Sequence, residues 1–155
     1  MGDLAIIIPT YNEQENIEKL LIKIRNNIPN CHIYVIDDSP EDSTRDLVIN
    51  NSYLNTYHHR LNKKGRGSAV IEGLNDALMS GNDYELLIEM DADFSHNPKE
   101  LKELINHFQI NKSDLLIASR YMKGSQIINW SISRRLLSFF ANKLAFILLR
   151  VPVTD

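Results

Sequence analysis

Apolar residues along the chain alternate between short continuous runs and helical spacing. The runs predict five strands, at Leu4–Pro9, Ile33–Ile36, Tyr53–Tyr57, Tyr84–Met90 and Leu115–Ala118. Between them, apolar residues recur three or four positions apart over residues 17–28, 68–79 and 98–108, which predicts helices there. A further short helix is predicted over residues 44–51. Strands that alternate with helices are typical of an α/β fold with right-handed crossovers and a largely parallel sheet.

The helix predicted at residues 68–79 shows how the spacing assigns a buried face. We expect Val70, Leu74, Ala77 and Leu78 to face the core, because they share helical spacing. Gly81 follows directly and is the residue type that most often ends a helix.

Polar and charged residues follow almost every predicted strand. In a parallel sheet the carboxyl ends of the strands lie on one edge, and ligands bind in the crevice there. We therefore expect these residues to meet along one rim of the sheet. The segments are PTYNE (9–13), DDSPEDST (37–44), RLNKKGRG (60–67), DADFSH (91–96) and SRY (119–121).

The sequence Asp91-Ala92-Asp93 is the most informative of these segments. Two carboxylates one residue apart on a turn can bind one hard cation such as Mg²⁺ or Mn²⁺, which leaves other positions for water and substrate phosphates. A D-x-D sequence also occurs in solvated turns and at helix N-caps. Its place on the shared rim favours a metal site that handles a nucleoside diphosphate.

Other rim residues carry side chains suited to a nucleotide. Tyr11 offers an aromatic ring for a base, and Glu13, Asp37 and Asp38 can accept hydrogen bonds from ribose hydroxyls or base N–H groups. The pair Asp37-Asp38 can equally form a turn followed by an N-cap.

The basic rim residues suit a diphosphate. Lys63 or Arg120 can neutralise phosphate oxygens. The sequence Gly65-x-Gly67 beside these basic residues is compatible with a phosphate-facing loop, and also with a simple turn into the next helix.

Composition narrows the class of protein. The 155 residues, 43% hydrophobic and 24% charged, fit one domain with a real core. The single cysteine, Cys31, excludes an internal disulfide, and the N-terminal residues lack a signal-peptide pattern, so we expect a cytoplasmic protein. A net charge of −3 and a pI near 5.9 argue against nucleic acid as a partner.

Charge is distributed unevenly along the chain. Residues 1–111 carry ten Lys and Arg against eighteen Asp and Glu, whereas residues 112–155 carry seven against two. Residues 136–149 are strongly apolar but too short and too interrupted for a membrane span. They indicate either an interfacial helix on an anionic membrane surface or an ordinary core helix with a solvated basic face.

The strand-end motifs PTYNE, DDSPEDST, KKGRGSA, MDADFSHNP and SRY occur in the order seen in family 2 glycosyltransferases of the GT-A fold. Within that family the chain most resembles polyprenol-phosphate sugar synthases such as dolichyl-phosphate mannose synthase. Asn129-Trp130, Arg134, Ser138 and Asn142 match the spaced pattern of that subgroup. The resemblance covers essentially the whole chain and implies a Rossmann-like GT-A fold, a mostly parallel sheet flanked by helices.

The same resemblance implies one domain over residues 1–155, incomplete at its C-terminus. Residues 1–121 would form the nucleotide-binding part, and residues 122–155 a truncated part that contacts the acceptor and the membrane. Relatives continue past Asp155 into a segment with the sequence TSGFR, so an inactive nucleotide-binding fragment is one alternative to an enzyme.

The resemblance also implies roles for individual residues. Asp91 and Asp93 would hold the metal and, with Arg120, form the catalytic group. Ser95 stands where some relatives have a glutamine ligand, and Lys64 and Arg66 replace apolar residues of the glycine-rich loop. The residues that would bind the nucleotide sugar are Pro9, Tyr11, Glu13, Ile36, Asp37, Asp38, Asp91, Ala92 and Arg120.

The reaction implied by the resemblance is metal-dependent, inverting transfer of mannose from GDP-mannose to a polyprenyl or dolichyl monophosphate. The acceptor phosphate is already an anionic nucleophile, so no side-chain base is required, and the metal with Arg120 would stabilise the departing diphosphate. Another donor such as UDP-glucose, or a hydroxyl acceptor, is the alternative within the family.

A rival from another class is a haloacid-dehalogenase phosphatase, whose D-x-D-x-[ST] motif Asp91–Ser95 also fits. That motif normally follows an early strand, whereas about half of the predicted sheet precedes Asp91.

Overall fold

The computed structural model describes residues 3–41, 44–52, 54–62, 65–119, 121–122 and 131–150. They divide into two compact units, residues 1–102 and residues 103–155. In order, the elements are β1 (Asp3–Thr10), α1 (Gln14–Asn27), β2 (His32–Asp37), α2 (Arg45–Ile49), β3 (Asn55–His59), α3 (Arg66–Met79), β4 (Tyr84–Glu89), α4 (Leu101–Asn111) and α5 (Ile132–Leu149). The alternation confirms the predicted α/β class.

The four strands form one parallel sheet in the order β3-β2-β1-β4. The two inner strands β1 and β2 are buried along nearly their whole length, which explains why their sequences are continuous apolar runs. Because all strands point the same way, their carboxyl ends share one edge: Thr10 lies opposite Asp37, and Asp37 opposite His59.

Helices α1 and α3 complete the core of the first unit. In α1, apolar side chains at helical spacing are buried, as predicted: Ile17, Leu20, Leu21 and Ile24. The buried residues of α3 are small, namely Ala69, Gly73 and Ala77. A Cβ added at Gly73 would lie 2.6 Å from Cγ2 of Ile7 and 2.9 Å from Cγ1 of Ile36, so α3 lies directly against β1 and β2.

The buried face of α3 corrects one sequence prediction. Leu78 was expected to face the core, but it is 64% exposed, while Val70 and Leu74 are half-buried. The row Ala69, Gly73, Ala77 faces the sheet because only small side chains fit this close approach. A prediction that gives more weight to large apolar residues therefore shifts the buried face of α3 by about one residue towards the C-terminus. The predicted stop is confirmed: α3 ends before Gly81, whose φ is 80°.

The strand predicted at Leu115–Ala118 is wrong. In the part of the chain that the structure describes, residues 115–118 form no strand, and Leu115 and Ile117 are 73% and 42% exposed. A strand needs the N–H and C=O groups of a neighbour, and a four-residue apolar run does not by itself supply one. The strand predicted at 53–57 exists but covers Asn55–His59.

In the second unit, α5 has a defined start and end. The Ser131 side chain accepts a hydrogen bond from the Arg134 N–H (3.3 Å), a standard N-cap contact. Arg150 at the other end adopts a left-handed conformation with φ of 53°. Within the described residues, no helix has both the length and the apolar content that a membrane span requires.

We predict that Gly73→Ala destabilises the first unit by about 1–3 kcal/mol, because the new methyl group would push α3 away from Ile7 and Ile36. Urea denaturation followed by circular dichroism measures the change. Gly67→Ala is the matched control: it lies in the same helix with no atom within 4 Å of the added Cβ, so helix propensity should leave its stability equal or higher. Equal losses for the two variants would contradict the close approach.

Candidate functional site

The carboxylate of Asp37, at the end of β2, is buried and surrounded by hydrogen-bond donors. Its Oδ1 accepts from Thr10 Oγ1 (2.9 Å) and from the N–H and hydroxyl of Ser39 (3.2 and 2.6 Å). Its Oδ2 accepts from the hydroxyls of Thr44 (2.5 Å) and Tyr57 (2.9 Å). Burial raises the pKa of Asp37, but the four side-chain hydroxyls more than offset it, so the pKa lies below the ordinary carboxyl value.

These bonds join four segments around one side chain. Thr10 ends β1, Thr44 precedes α2, Tyr57 lies on β3, and Ser39 lies in the loop after β2. The hydroxyl of Ser39 also accepts from the Asn12 N–H (2.8 Å), which links the loop after β1 to the loop after β2. Because protein donors already occupy both its oxygens, Asp37 contributes to this rim by holding the loops in place.

Asp38, the next residue, forms a buried ion pair with Arg60 at the end of β3. The two bonds, Nε to Oδ1 (2.5 Å) and Nη2 to Oδ2 (2.6 Å), are bidentate, and the side chains are 2% and 4% exposed. Arg60 also donates to the Ser68 hydroxyl and to Glu72, both on α3. Such a pair is costly to bury unless its hydrogen bonds are satisfied, as they are here.

The same ion pair holds the glycine-rich loop. Arg60 donates from Nη2 to the Gly65 carbonyl (3.2 Å), and the Gly65 N–H donates to Oδ2 of Asp38 (3.2 Å). Gly65 has a φ of 90°, a conformation that favours glycine. The loop is thus a turn clamped by Asp38 and Arg60, and it brings the first residue of α3, Arg66, to the end of β4.

The D-x-D segment forms a compact turn after β4, as predicted. The Asp91 N–H donates to Nδ1 of His96 (3.1 Å), and Oδ1 of Asp93 accepts from the Ser95 N–H (2.9 Å). Between them Ala92 is buried. Phe94 has a φ of 62°, and its ring centroid lies 4.5 Å from Nζ of Lys23 on α1.

A guanidinium contacts the carboxylates at this turn. Arg66 donates from Nε to Oδ1 of Asp91 (2.7 Å) and from Nη2 to Oε1 of Glu89. Burial raises the pKa of Glu89 and Asp91 adds to the effect, partly offset by Arg66. Burial also raises the pKa of Asp93, but hydrogen bonds from Ser95 hold it below its ordinary value, so Asp93 is ionised at neutral pH.

The donors at this turn fit a hard divalent cation. Asp91 and Asp93 supply carboxylate oxygens one residue apart, which is the chemistry that Mg²⁺ and Mn²⁺ prefer. Among the residues that the structure describes, no three His, Cys, Asp or Glu side chains converge on one point. Two protein carboxylates would therefore leave the remaining coordination positions to water and to substrate phosphates, as is usual for Mg²⁺.

The other predicted nucleotide-binding residues lie on β1, β2 and the start of α1. Pro9 and Ile36 are buried register partners on adjacent strands. Tyr11, in the loop after β1, is 42% exposed. Glu13 is the N-cap of α1 and accepts a hydrogen bond from the Asn16 amide (2.8 Å). Lys63 and Arg120 lie outside the described residues.

Sequence reasoning gave no role to three residues that organise this rim: Arg60, Arg66 and His96. Arg60 directly follows β3, so the strand-end rule that selected Asp91 also applied to it. The basic residue Arg66 was noted as a departure from the family, but its partner depends on how the loop folds. His96 follows Asp91 by five residues, and only the fold of the turn brings its Nδ1 to the Asp91 N–H.

The family is decided by comparison with known proteins. A family model described as Glycosyl transferase family 2 matches residues 5–153. The chain belongs to this family. Membership excludes the phosphatase alternative for the D-x-D segment.

Three curated relatives have similar sequences. Polyprenol monophosphomannose synthase from Mycolicibacterium smegmatis is 38% identical over 97% of this chain and 57% of the relative. Undecaprenyl-phosphate mannosyltransferase from Micrococcus luteus is 36% identical over 96% of this chain and 61% of the relative. Dolichol-phosphate mannosyltransferase from Pyrococcus furiosus is 39% identical over 87% of this chain and 38% of the relative. The chain thus spans about 38–61% of the length of these relatives.

Solved structures confirm the GT-A fold. The mannosyltransferase PcManGT from Pyrobaculum calidifontis, in complex with GDP-Man and Mn²⁺, is 24% identical with a TM-score of 0.54, over 68% of this chain and 32% of PcManGT. S. aureus TarS (residues 1–349) is 21% identical with a TM-score of 0.62, over 84% of this chain and 39% of TarS.

We predict that Asp37→Asn lowers the free energy of unfolding by about 2–4 kcal/mol at neutral pH, because an amide cannot replace a carboxylate that accepts five hydrogen bonds. Since the folded-state pKa of Asp37 is depressed, its contribution is present at neutral pH and is lost as the pH falls below about 4. Unfolding free energy should therefore depend less on pH between about 6 and 3 in the variant.

Asp46→Asn, at an exposed carboxylate, is the control for that measurement. It should change the unfolding free energy by less than about 0.5 kcal/mol across the same pH range. Parallel pH profiles for wild type and Asp37→Asn would contradict the assigned role of Asp37.

Proposed function

We propose that this chain is the donor-binding part of a metal-dependent, inverting glycosyltransferase that transfers mannose from GDP-mannose to a polyprenyl or dolichyl monophosphate. The observation that carries the proposal is the D-x-D turn on the rim of the sheet, held by His96 and by the Ser95 N–H. Three relatives at 36–39% identity are named as a polyprenol monophosphomannose synthase and as two polyprenol-phosphate mannosyltransferases, and PcManGT was solved with GDP-Man and Mn²⁺.

The rim residues of β1 and β2 suit the nucleoside of the donor. Tyr11 presents a partly exposed ring, and Glu13 presents a carboxylate at the start of α1. Pro9, Ile36 and the clamped Asp38 would form the wall of this nucleoside pocket. Lys63 and Arg120 remain proposed ligands of the diphosphate.

Asp91 and Asp93 would hold Mg²⁺ or Mn²⁺, which when bound supplies positive charge to the diphosphate as it leaves. The chain itself keeps these carboxylates in position: His96 fixes the backbone of Asp91, and Ser95 keeps Asp93 ionised. Ala92, buried between them, would lie against the sugar nucleotide.

The acceptor determines which groups the reaction needs. The oxygen of a polyprenyl monophosphate is anionic at neutral pH, so it attacks the anomeric carbon without a side-chain base, and the bond to the diphosphate breaks with inversion. A hydroxyl acceptor would instead need a carboxylate base. An ionised Asp93 fits metal binding better than proton transfer, since its pKa is lowered rather than raised towards neutrality.

Helix α5 would serve the lipid side of the reaction. Helix α5 has many large apolar side chains exposed on its surface: Leu136, Leu137, Phe139, Phe140, Leu144, Phe146, Ile147 and Leu148. Together with the basic residues of this region, they suit peripheral association with the anionic cytoplasmic face of a membrane. We place the acceptor and membrane part at residues 122–155 and the nucleotide part at residues 1–121.

We predict that GDP binds in a Mn²⁺-dependent manner and that Asp93→Asn weakens this binding about tenfold or more, because one anionic ligand is lost. Isothermal titration calorimetry with GDP, in Mn²⁺ and in EDTA, measures the effect. Stability should change by less than about 0.5 kcal/mol, since the asparagine oxygen can still accept from Ser95.

Asp83→Asn at the opposite, amino-terminal end of β4 is the matched control and should leave GDP binding unchanged. Binding that responds to neither EDTA nor Asp93→Asn would rule out the metal site.

We also predict that the protein co-sediments with anionic liposomes more than with neutral ones, and that this preference declines as salt increases. Leu137→Glu on α5, where Leu137 is 73% exposed, should reduce sedimentation, because burying a charge in the lipid interface is costly. Leu61→Glu changes a 90% exposed leucine in the first unit and should have no effect. Equal sedimentation of the two variants would refute membrane contact through α5.

A further inference from the structure

Arg66 contacts the first carboxylate of the D-x-D segment, Asp91, and the neighbouring Glu89. Its guanidinium spans Asp91 Oδ1 (2.7 Å from Nε) and Glu89 Oε1, and so joins the first turn of α3 to the end of β4. Arg66 stands where the pattern that the chain resembles has an apolar residue, so this guanidinium is a departure from that pattern.

The position of Arg66 is electrostatically unfavourable without an anion nearby. It is the first residue of α3, where the aligned peptide dipoles place partial positive charge, and the first turn of α3 has no acidic residue to offset it. Asp91 and Glu89 supply the missing negative charge from another element. Burial lowers the pKa of Arg66, but its bonds to these carboxylates raise it above the ordinary value.

The contact is of a kind that can exchange. The Arg66 side chain is 54% exposed and its two partners are each 33% exposed, so water can replace either bond at small cost. By contrast, the side chains of Arg60 and Asp38 are only 2% and 4% exposed, and both make further hydrogen bonds within the protein. Only Arg66 of these two guanidinium groups is free to change partner during binding.

A divalent cation and Arg66 compete for the same charge. Asp91 is a proposed metal ligand, and a cation bound there would lie within a few ångströms of the guanidinium, where like charges repel strongly. A diphosphate on the metal would bring anionic oxygens near the start of α3, where the helix N-terminus and the Arg66 guanidinium both favour negative charge.

We propose that Arg66 is an exchangeable counter-ion of the D-x-D site: it neutralises Asp91 and Glu89 in the free protein, and it pairs with the diphosphate of the donor once a divalent cation occupies Asp91. This inference rests on the proposed function, since it needs both the metal and the diphosphate. The exchange predicts that the metal binds weakly in the absence of nucleotide and more tightly in its presence. One side chain would thus couple the binding of the two ligands.

The test uses Arg66→Leu, which restores an apolar residue, and two measurements. Free Mn²⁺, counted by electron paramagnetic resonance without nucleotide, gives the affinity for the metal. Calorimetry with GDP at saturating Mn²⁺ gives the affinity for the diphosphate. We expect Arg66→Leu to bind Mn²⁺ about threefold tighter, because an exposed ion pair that competes for Asp91 is lost. We expect it to bind GDP about tenfold more weakly, because a charged partner of the diphosphate is lost.

Two further variants separate charge from structure. Arg66→Lys keeps the charge but not the bidentate geometry, and should fall between wild type and Arg66→Leu in both measurements. Arg45→Leu removes a guanidinium that pairs with Asp46 at the surface, and should change neither affinity. Thermal denaturation checks that all variants fold.

The opposite signs for Mn²⁺ and GDP distinguish exchange from a structural role, which would weaken both ligands together. If Arg66→Leu binds both ligands more weakly, or binds both with unchanged affinity while wild type binds Mn²⁺ and GDP, the exchange role of Arg66 is overturned and the proposed metal site is not affected. Failure of every variant and of wild type to bind Mn²⁺ would overturn the proposed metal site, and this inference with it.

Discussion

The buried carboxylate of Asp37 is the constraint on which the arrangement of the rim depends. A carboxylate without solvent is tolerated only when donors surround it, and here the donors come from β1, the loop after β2, the start of α2 and β3. Four separate segments therefore each place one side-chain donor within hydrogen-bond distance of Asp37. One side chain thus connects the loops at the carboxyl edge of the sheet.

From this point the order extends outward by contact. Asp38 is held beside Asp37 by the chain, Arg60 binds Asp38, and both bind the turn at Gly65. That turn sets where α3 begins, and hence which residue meets the D-x-D segment. Rigid buried pairs thus support a more exposed and adaptable set of charges, which is the division that a binding site for a charged ligand requires.

The sequence predicts the sheet and the location of the site well, for a physical reason. Parallel strands have all their carboxyl ends on one edge, so polar residues after strands must gather there whatever the details of packing, and Asp91 could be placed without coordinates. Membership of the D-x-D turn in a metal site remains a prediction, as do the roles assigned to Lys63 and Arg120.

The features that the sequence did not predict depend on how close separate elements lie to one another in the fold. The buried row of α3 consists of alanine and glycine, which carry little hydrophobic signal, so Leu78 was placed inward. Leu115–Ala118 has the composition of a strand but no partner strand in the described structure. Asp38 lies 22 positions from Arg60, and Glu89 and Asp91 lie 23 and 25 positions from Arg66, so no local pattern encodes these ion pairs.

The small-residue face of α3 has a consequence for how substitutions far from the rim act. Gly73 lies seven residues from Arg66, about 10.5 Å along the helix axis. Because α3 packs against Ile7 and Ile36 at Gly73, a larger residue at position 73 would tilt the helix about this contact. A small tilt at position 73 displaces the amino-terminal end of α3 by a larger distance. Variation in the middle of α3 can therefore retune the charges at the rim while every residue that touches a ligand stays the same.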